Sequence, residues 1–194
     1  MKVFVNILSV FRILSAFAIP PLLLGALFPE AFALFVLAAV SDWLDGFLAR
    51  KFNVATKLGG VLDHIGDKFL AANALVMMIM FLQIWSVIAP AIIMLCRELY
   101  VSGLREFMGT EKIEMPVPKK RFALGKIKTF AQMIALAMLF LWIWAVNADW
   151  SDDFFTYYML FAGIGGLWLA ALLSVASAAQ YTATFAKNLK KIKK

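Results

Sequence analysis

Six stretches of this 194-residue chain, at about 8–28, 31–50, 60–82, 87–107, 123–147 and 154–184, are apolar over roughly the 20 residues that a helix needs to cross about 30 Å of hydrocarbon. Hydrocarbon offers no partner to a bare backbone N–H or C=O, so segments of this kind must satisfy their own hydrogen bonds as α-helices. With 63% hydrophobic residues and only 16% charged, lipid is the solvent for most of the surface. The predicted fold is an all-α integral membrane protein with six transmembrane helices in one bundle. Residues 1–194 form a single domain, with no internal repeat. The punctuation agrees: "PE" at 29–30, "QIWS" at 83–86 and "NADWSDD" at 147–153 are short turns, and 108–121 is a longer polar loop containing Pro116 and Pro118.

Charge tests this arrangement. The three short turns contain no Lys or Arg, whereas all 19 basic residues fall near the N-terminus, around 50–68, from Arg97 to Lys128, or in the tail "KNLKKIKK". Cytoplasmic segments collect Lys and Arg, so both termini are expected in the cytoplasm. A basic membrane face suits anionic lipid or phosphorylated substrates, and no nucleic-acid motif accompanies it. Arg12 interrupts the first apolar stretch, and "ILSAFAIPPLLLGALFP" continues without a small-residue cleavage site, so no secretory signal peptide is expected. The single Cys96, in an apolar run, reads as packing.

Against this background, "SDWLDGFLARKFNVATKLGGVLDHIGDK" at 41–68 holds four aspartates. Asp42 and Asp45 lie three apart at the end of the second segment, and Ala49, four further on, keeps the same face open. Beyond a connection of about nine residues, Gly59, Asp63 and Asp67 repeat at spacing four on the first turns of the third segment, and the two stripes can converge across a helical hairpin. Four carboxylates together repel one another unless cations neutralise them. Two divalent ions would do so, and an all-oxygen set selects Mg²⁺ or Mn²⁺; such a pair can clamp a phosphate undergoing in-line displacement. Arg50 and Lys57 add positive charge for phosphate oxygens.

A second group is cationic. "CRELYVSGLREF" at 96–107 places Arg97, Val101 and Arg105 on one helical face with Glu98 and Ser102 alongside, and "LGKIKTFAQM" at 124–133 opens the fifth segment with Lys126, Lys128, Thr129 and Gln132. Together these residues form a candidate pocket for a second phosphate, on the acceptor. The alternatives are that the lysines only anchor the interface, and that Arg97 pairs with Glu98 or an aspartate.

The run Asp42-x2-Asp45-Gly46-x2-Ala49-Arg50-x8-Gly59-x3-Asp63-x3-Asp67 resembles at every fixed position the signature of the CDP-alcohol phosphotransferase family, integral membrane enzymes of phospholipid synthesis. The resemblance implies six transmembrane helices around a polar cavity facing the cytoplasm, commonly in a homodimer. It also implies that Asp42, Asp45, Asp63 and Asp67 hold two metals, with Asp67 serving as the base for the incoming hydroxyl. Gly46, Ala49 and Arg50 would border the CDP moiety together with Asp45, Lys57 and Gly59. The stretches around Arg97 and Lys126 are similar to those of a branch whose acceptor is sn-glycerol 3-phosphate, bound through Arg97, Arg105, Lys126 and Lys128. "NILSVFRI" at 6–13 is similar to that branch's opening segment, which brings Asn6 and Ser9 to the CDP-lipid side, with Ser9 in place of threonine. His64 and Gly66 stand where that branch often has proline and alanine. By this resemblance the protein transfers the phosphatidyl group of CDP-diacylglycerol to glycerol 3-phosphate, giving phosphatidylglycerophosphate and CMP, in a bacterial inner membrane.

Other acceptors, such as serine, an inositol phosphate or a second lipid, are compatible with the aspartate signature. An ion-coupled carrier is a different reading of the same carboxylates, disfavoured because they lie at helix ends and not near the bilayer midplane. His64, off the carboxylate stripe, reads as a supporting residue. "GIGG" at 163–166 reads as close helix packing or a dimer seam, and Trp142, Trp144 and Trp150 as an interfacial belt.

Overall fold

Each apolar segment becomes one helix, as the lipid constraint demands. The computed structural model describes residues 2–52, 57–110, 124–150 and 153–192, with side chains defined at 6–42, 44, 59–109, 127–150 and 154–186. Its elements are α1 Lys2–Leu24, α2 Phe28–Phe52, α3 Lys57–Leu82, α4 Trp85–Thr110, α5 Leu124–Asn147 and α6 Asp153–Ile192. Most of the predicted 108–121 loop, including Pro116 and Pro118, lies outside the described residues.

Several boundaries move, for local reasons. The first helix ends at Leu24, four residues before the predicted end, because Gly25 and Ala26 close it. Leu27 N–H reaches back to the Leu22 carbonyl at 2.9 Å while Ala26 takes a left-handed φ of 58°. Pro29 then occupies the opening turn of α2, where its missing N–H is harmless. The nine-residue connection before Gly59 is shorter than expected, since α2 continues to Phe52 and α3 begins at Lys57. At 40 residues α6 is about 60 Å long, and it runs helically into the lysine tail instead of stopping at 184.

Among the described residues, five helices are long and apolar enough to cross a membrane: α1, α3, α4, α5 and α6. α2 has 25 residues but carries Glu30 in its first turn and Asp42, Asp45, Arg50 and Lys51 toward its end. Its charged half contributes the Asp42 carboxylate to the candidate active site. The protein is therefore an integral membrane protein with an apolar exterior, on which Leu24, Phe130, Phe154, Phe161 and Leu172 are among the large exposed side chains.

The interior is divided along its length. α1 packs on α2 and α3, α5 on α6, and α4 on α6, while α2 bridges to α5. One part is a dry core in which Phe35 of α2 stacks on Phe140 of α5 with ring centres 4.7 Å apart, among Ile19, Leu75, Met78 and Leu139. The other part is polar. Among the described residues, the buried polar side chains Ser9, Arg12, Ser15, Ser41, Arg97, Lys128, Gln132, Ser174 and Ser177 lie toward one end of the bundle or near a helix midpoint.

Gly163 and Gly166 face α5 of the same chain. A Cβ built on Gly166 would lie 2.8 Å from the Ala135 Cβ, and one on Gly163 would lie 2.6 Å from Leu139, whereas Gly165 has nothing within 4 Å. The close-packing reading of "GIGG" thus belongs to the α5–α6 contact inside one chain, not to a seam between copies at these two positions. Gly166→Ala is expected to destabilise the detergent-solubilised protein by about 1–3 kcal/mol, because the rigid Ala135 methyl cannot rotate away. Gly165→Ala is expected to leave the thermal midpoint at or above wild type; equal loss in the two variants would disprove the packing assignment.

Candidate active site

A buried cation sets the geometry of the site. Arg12, in the interior of α1, has no solvent exposure, and its Nη1 lies 3.1 Å from Asp42 Oδ1, 2.9 Å from Asp63 Oδ1 and 2.5 Å from Asp67 Oδ1. Three helices meet at this one atom. The aspartate side chains keep about a third to a half of their surface exposed, so the guanidinium forms a dry floor and the carboxylates face a wetter mouth. The approach of α1 to α3 needs a small residue at Gly66, whose Cβ position is 3.5 Å from Arg12 Cδ and 3.4 Å from the Ser9 carbonyl. An alanine there needs only slight adjustment.

Asp42, Asp63 and Asp67 each offer an oxygen, all within 4.8 Å of one another. An all-carboxylate set already gathered around positive charge has the donor chemistry of a hard divalent ion, so the residues fit a metal. Asp45, Gly46, Ala49 and Arg50 lie on α2 and Lys57 opens α3, but their side chains fall outside the described residues. Gly59 is buried on the first turn of α3. On α1, Ser9 is buried and Asn6 half-buried, on the turns preceding Arg12.

The second cluster is built by α4, α5 and α6. Glu98 Oε2 accepts hydrogen bonds from Arg97 Nη1 at 2.9 Å and from Lys128 Nζ at 3.1 Å. Of the partners open to Arg97 from sequence, Glu98 is therefore the one it takes. Arg97 Nη2 also donates to Ser177 Oγ at 2.7 Å, while its Nε is buried without a hydrogen-bond partner. Arg105 donates through Nη2 to the Tyr181 hydroxyl at 2.8 Å. Lys126 lies on α5, its side chain outside the described residues.

Two residues join the clusters. Lys68, directly after Asp67, donates its ammonium to Ser102 of α4 at 2.5 Å. His64 is exposed, in the electrostatic field of Lys68, Arg105, Glu98 and Asp63. Carboxylates and cations thus form adjacent compartments of opposite sign.

Sequence reasoning passed over Arg12, Lys68, Ser177 and Tyr181 as site residues. Arg12 was visible as a lone cation in an apolar helix, which must find its counter-charge on another helix. Ser174, Ser177 and Tyr181, at spacings of three and four, form a polar stripe on an otherwise apolar helix.

A helical membrane protein with carboxylates converging from neighbouring helices at one end of the bundle is the class that fold and site define. The family model described as CDP-alcohol phosphatidyltransferase matches residues 2–176. A protein of Salmonella choleraesuis (strain SC-B67), named CDP-diacylglycerol--glycerol-3-phosphate 3-phosphatidyltransferase, is 37% identical over 182 residues, covering 91% of each chain. A protein of the same name from Escherichia coli (strain K12) is 41% identical over 154 residues, 79% of this chain and 77% of its own. The chain belongs to the CDP-alcohol phosphatidyltransferase family.

Removing Arg12 strips three carboxylates of their shared partner. Arg12→Gln is expected to cost about 3 kcal/mol without divalent ions, the lower end for a buried pair because the aspartates stay partly hydrated. Thermal unfolding with chelator and with Mg²⁺ checks this, the expected result being a larger Mg²⁺-induced rise in the variant than in wild type. Equal rises would show that Arg12 and the ion do not share these carboxylates.

Proposed function

We propose that this protein transfers the phosphatidyl group of CDP-diacylglycerol to sn-glycerol 3-phosphate, releasing CMP and forming phosphatidylglycerophosphate. The observation that carries this reading is the placement of a carboxylate cluster beside a separate cationic cluster at one end of the bundle. The first suits a metal-assisted displacement at phosphorus, the second a phosphate that is not itself being transferred. The names of the relatives support the same donor and acceptor.

In this reading Asp42, Asp45, Asp63 and Asp67 hold two divalent ions, Mg²⁺ or Mn²⁺, which supply charge neutralisation at the pyrophosphate when bound. Gly46, Ala49, Arg50, Lys57, Gly59, Asn6 and Ser9 border the CDP-lipid. Arg97, Arg105, Lys126 and Lys128 hold the phosphate of the acceptor. Asp67 takes the proton from the acceptor's primary hydroxyl as that oxygen attacks the phosphorus bearing diacylglycerol. A new P–O bond to glycerol forms, and the P–O bond to CMP breaks.

Arg12 gives this scheme its alignment. By drawing Asp63 and Asp67 of α3 toward Asp42 of α2, it sets the spacing of the carboxylates before substrate arrives. The distribution of Lys and Arg supports a site facing the cytoplasm with both termini on that side, and the bacterial relatives support a bacterial inner membrane. A homodimer is the assembly implied by family resemblance.

The direct test is CMP release by the purified protein from CDP-diacylglycerol with Mg²⁺, comparing glycerol 3-phosphate with glycerol, serine, inositol and inositol phosphate. Release with glycerol 3-phosphate alone is the expected result. Release with a different acceptor would overturn the acceptor assignment, and no release with any would return the carrier reading. Asp67→Asn is expected to lower turnover by about a thousandfold, as for loss of a general base, with CDP-lipid binding retained. Wild-type turnover in that variant would remove the base assignment. Arg105→Ala is expected to raise KM for glycerol 3-phosphate by about tenfold or more, leaving KM for CDP-diacylglycerol nearly unchanged.

A further inference from the structure

The two arginines of α4 are held from the side by α6. α4 and α6 run parallel here, and their register is fixed by a ladder of paired residues. Arg97 meets Ser177, Tyr100 meets Thr182 with oxygens 2.9 Å apart, Arg105 meets Tyr181, and the Phe107 and Phe185 rings meet edge to face at 5.7 Å. Val101, between the two arginines, is buried.

The chemistry of the two arginine contacts is specific. Ser177 Oγ donates its proton to the Ser174 carbonyl at 3.1 Å, which leaves a lone pair to receive Arg97 Nη2 at 2.7 Å. With Nη1 on Glu98 and Nη2 on Ser177, the plane of the Arg97 guanidinium is fixed, and the buried Nε remains as a donor without a partner. Arg105 is held differently. Its guanidinium carbon lies 5.1 Å from the centre of the Tyr181 ring, and one nitrogen donates to the hydroxyl of that ring. An exposed, flexible cation is thereby held against one face of α6.

We propose that α6 forms a wall of the acceptor subsite, with Ser177 and Tyr181 as positioning residues that orient Arg97 and Arg105 for the phosphate of the acceptor. This rests on the acceptor reading given above. Bidentate recognition of phosphate depends on guanidinium geometry more than on charge alone, so orientation from α6 affects acceptor affinity more than chemistry. Neither residue is placed at the reacting phosphorus.

The test is steady-state CMP release by the full-length protein in mixed micelles with Mg²⁺, varying each substrate in turn, for Ser177→Ala, Ser177→Thr, Tyr181→Leu and Tyr181→Phe. Tyr181→Leu and Ser177→Ala are expected to raise KM for glycerol 3-phosphate by about tenfold, with KM for CDP-diacylglycerol and kcat changed by less than about twofold. Tyr181→Phe keeps the ring and loses the hydroxyl, so it is expected to fall between wild type and Tyr181→Leu, while Ser177→Thr restores near-wild-type behaviour. A merely structural role would lower kcat or raise both KM values together, and either result overturns the proposal. Arg105→Ala in the same assay separates the two levels. If it raises KM for the acceptor and Tyr181→Leu does not, the positioning role falls and the acceptor reading stands. If Arg105→Ala leaves that KM unchanged, the acceptor reading falls and the proposal with it.

Discussion

A guanidinium without solvent exposure, inside a bundle whose outer surface is hydrocarbon, persists only if carboxylates come to it. The bundle satisfies that requirement by bringing Asp42 from α2 and both Asp63 and Asp67 from α3 to one nitrogen of Arg12. Much of the local architecture follows from this junction. It fixes how deep α1 sits against α3 and why a small residue is needed at Gly66. It also turns Asp42 of α2 inward. Three carboxylates around one guanidinium keep a net negative charge, so the cluster remains suited to a further cation.

The second compartment obeys the opposite rule. Arg97 and Lys128 share one carboxylate, Glu98, and keep net positive charge beside the carboxylate site. Buried charges of either sign are costly in a membrane protein, and a balance within each cluster lowers that cost without removing the imbalance that ligands use. Separation along α3 and α4 keeps the clusters from annihilating each other. Lys68 reaches Ser102, and Arg97 pairs with its neighbour Glu98 instead of an aspartate.

The fold was legible because hydrocarbon leaves a chain few choices. Helix number follows from apolar length, and the shared face of Asp63 and Asp67 from a spacing of four. Helix ends were less so. The closure of α1 at Ala26 depends on a left-handed residue that is not glycine, and the extension of α6 through its lysines has no breaker to stop it. Partners across helices were the least accessible, since spacing fixes a face but not the neighbour that it meets. Glu98 was in view as a neighbour of Arg97, yet its bond to Lys128, 30 residues away, depends on how α4 sits against α5 and α6. Arg12 was noticed only as an interruption in an apolar run, although its role could be deduced from the cost of leaving it unpaired.

In the proposed reaction the carboxylates gathered at Arg12 would seat the divalent metal, apart from the cationic compartment that would take phosphate. An anomalous difference map from crystals grown with Mn²⁺ tests it most directly. The expected result is anomalous density bounded by Asp42, Asp63 and Asp67 in wild type and lost in Asp63→Asn. Absence of density there, with Arg12 still seated among the aspartates at saturating Mn²⁺, would contradict the account and leave the cluster a purely structural ion network.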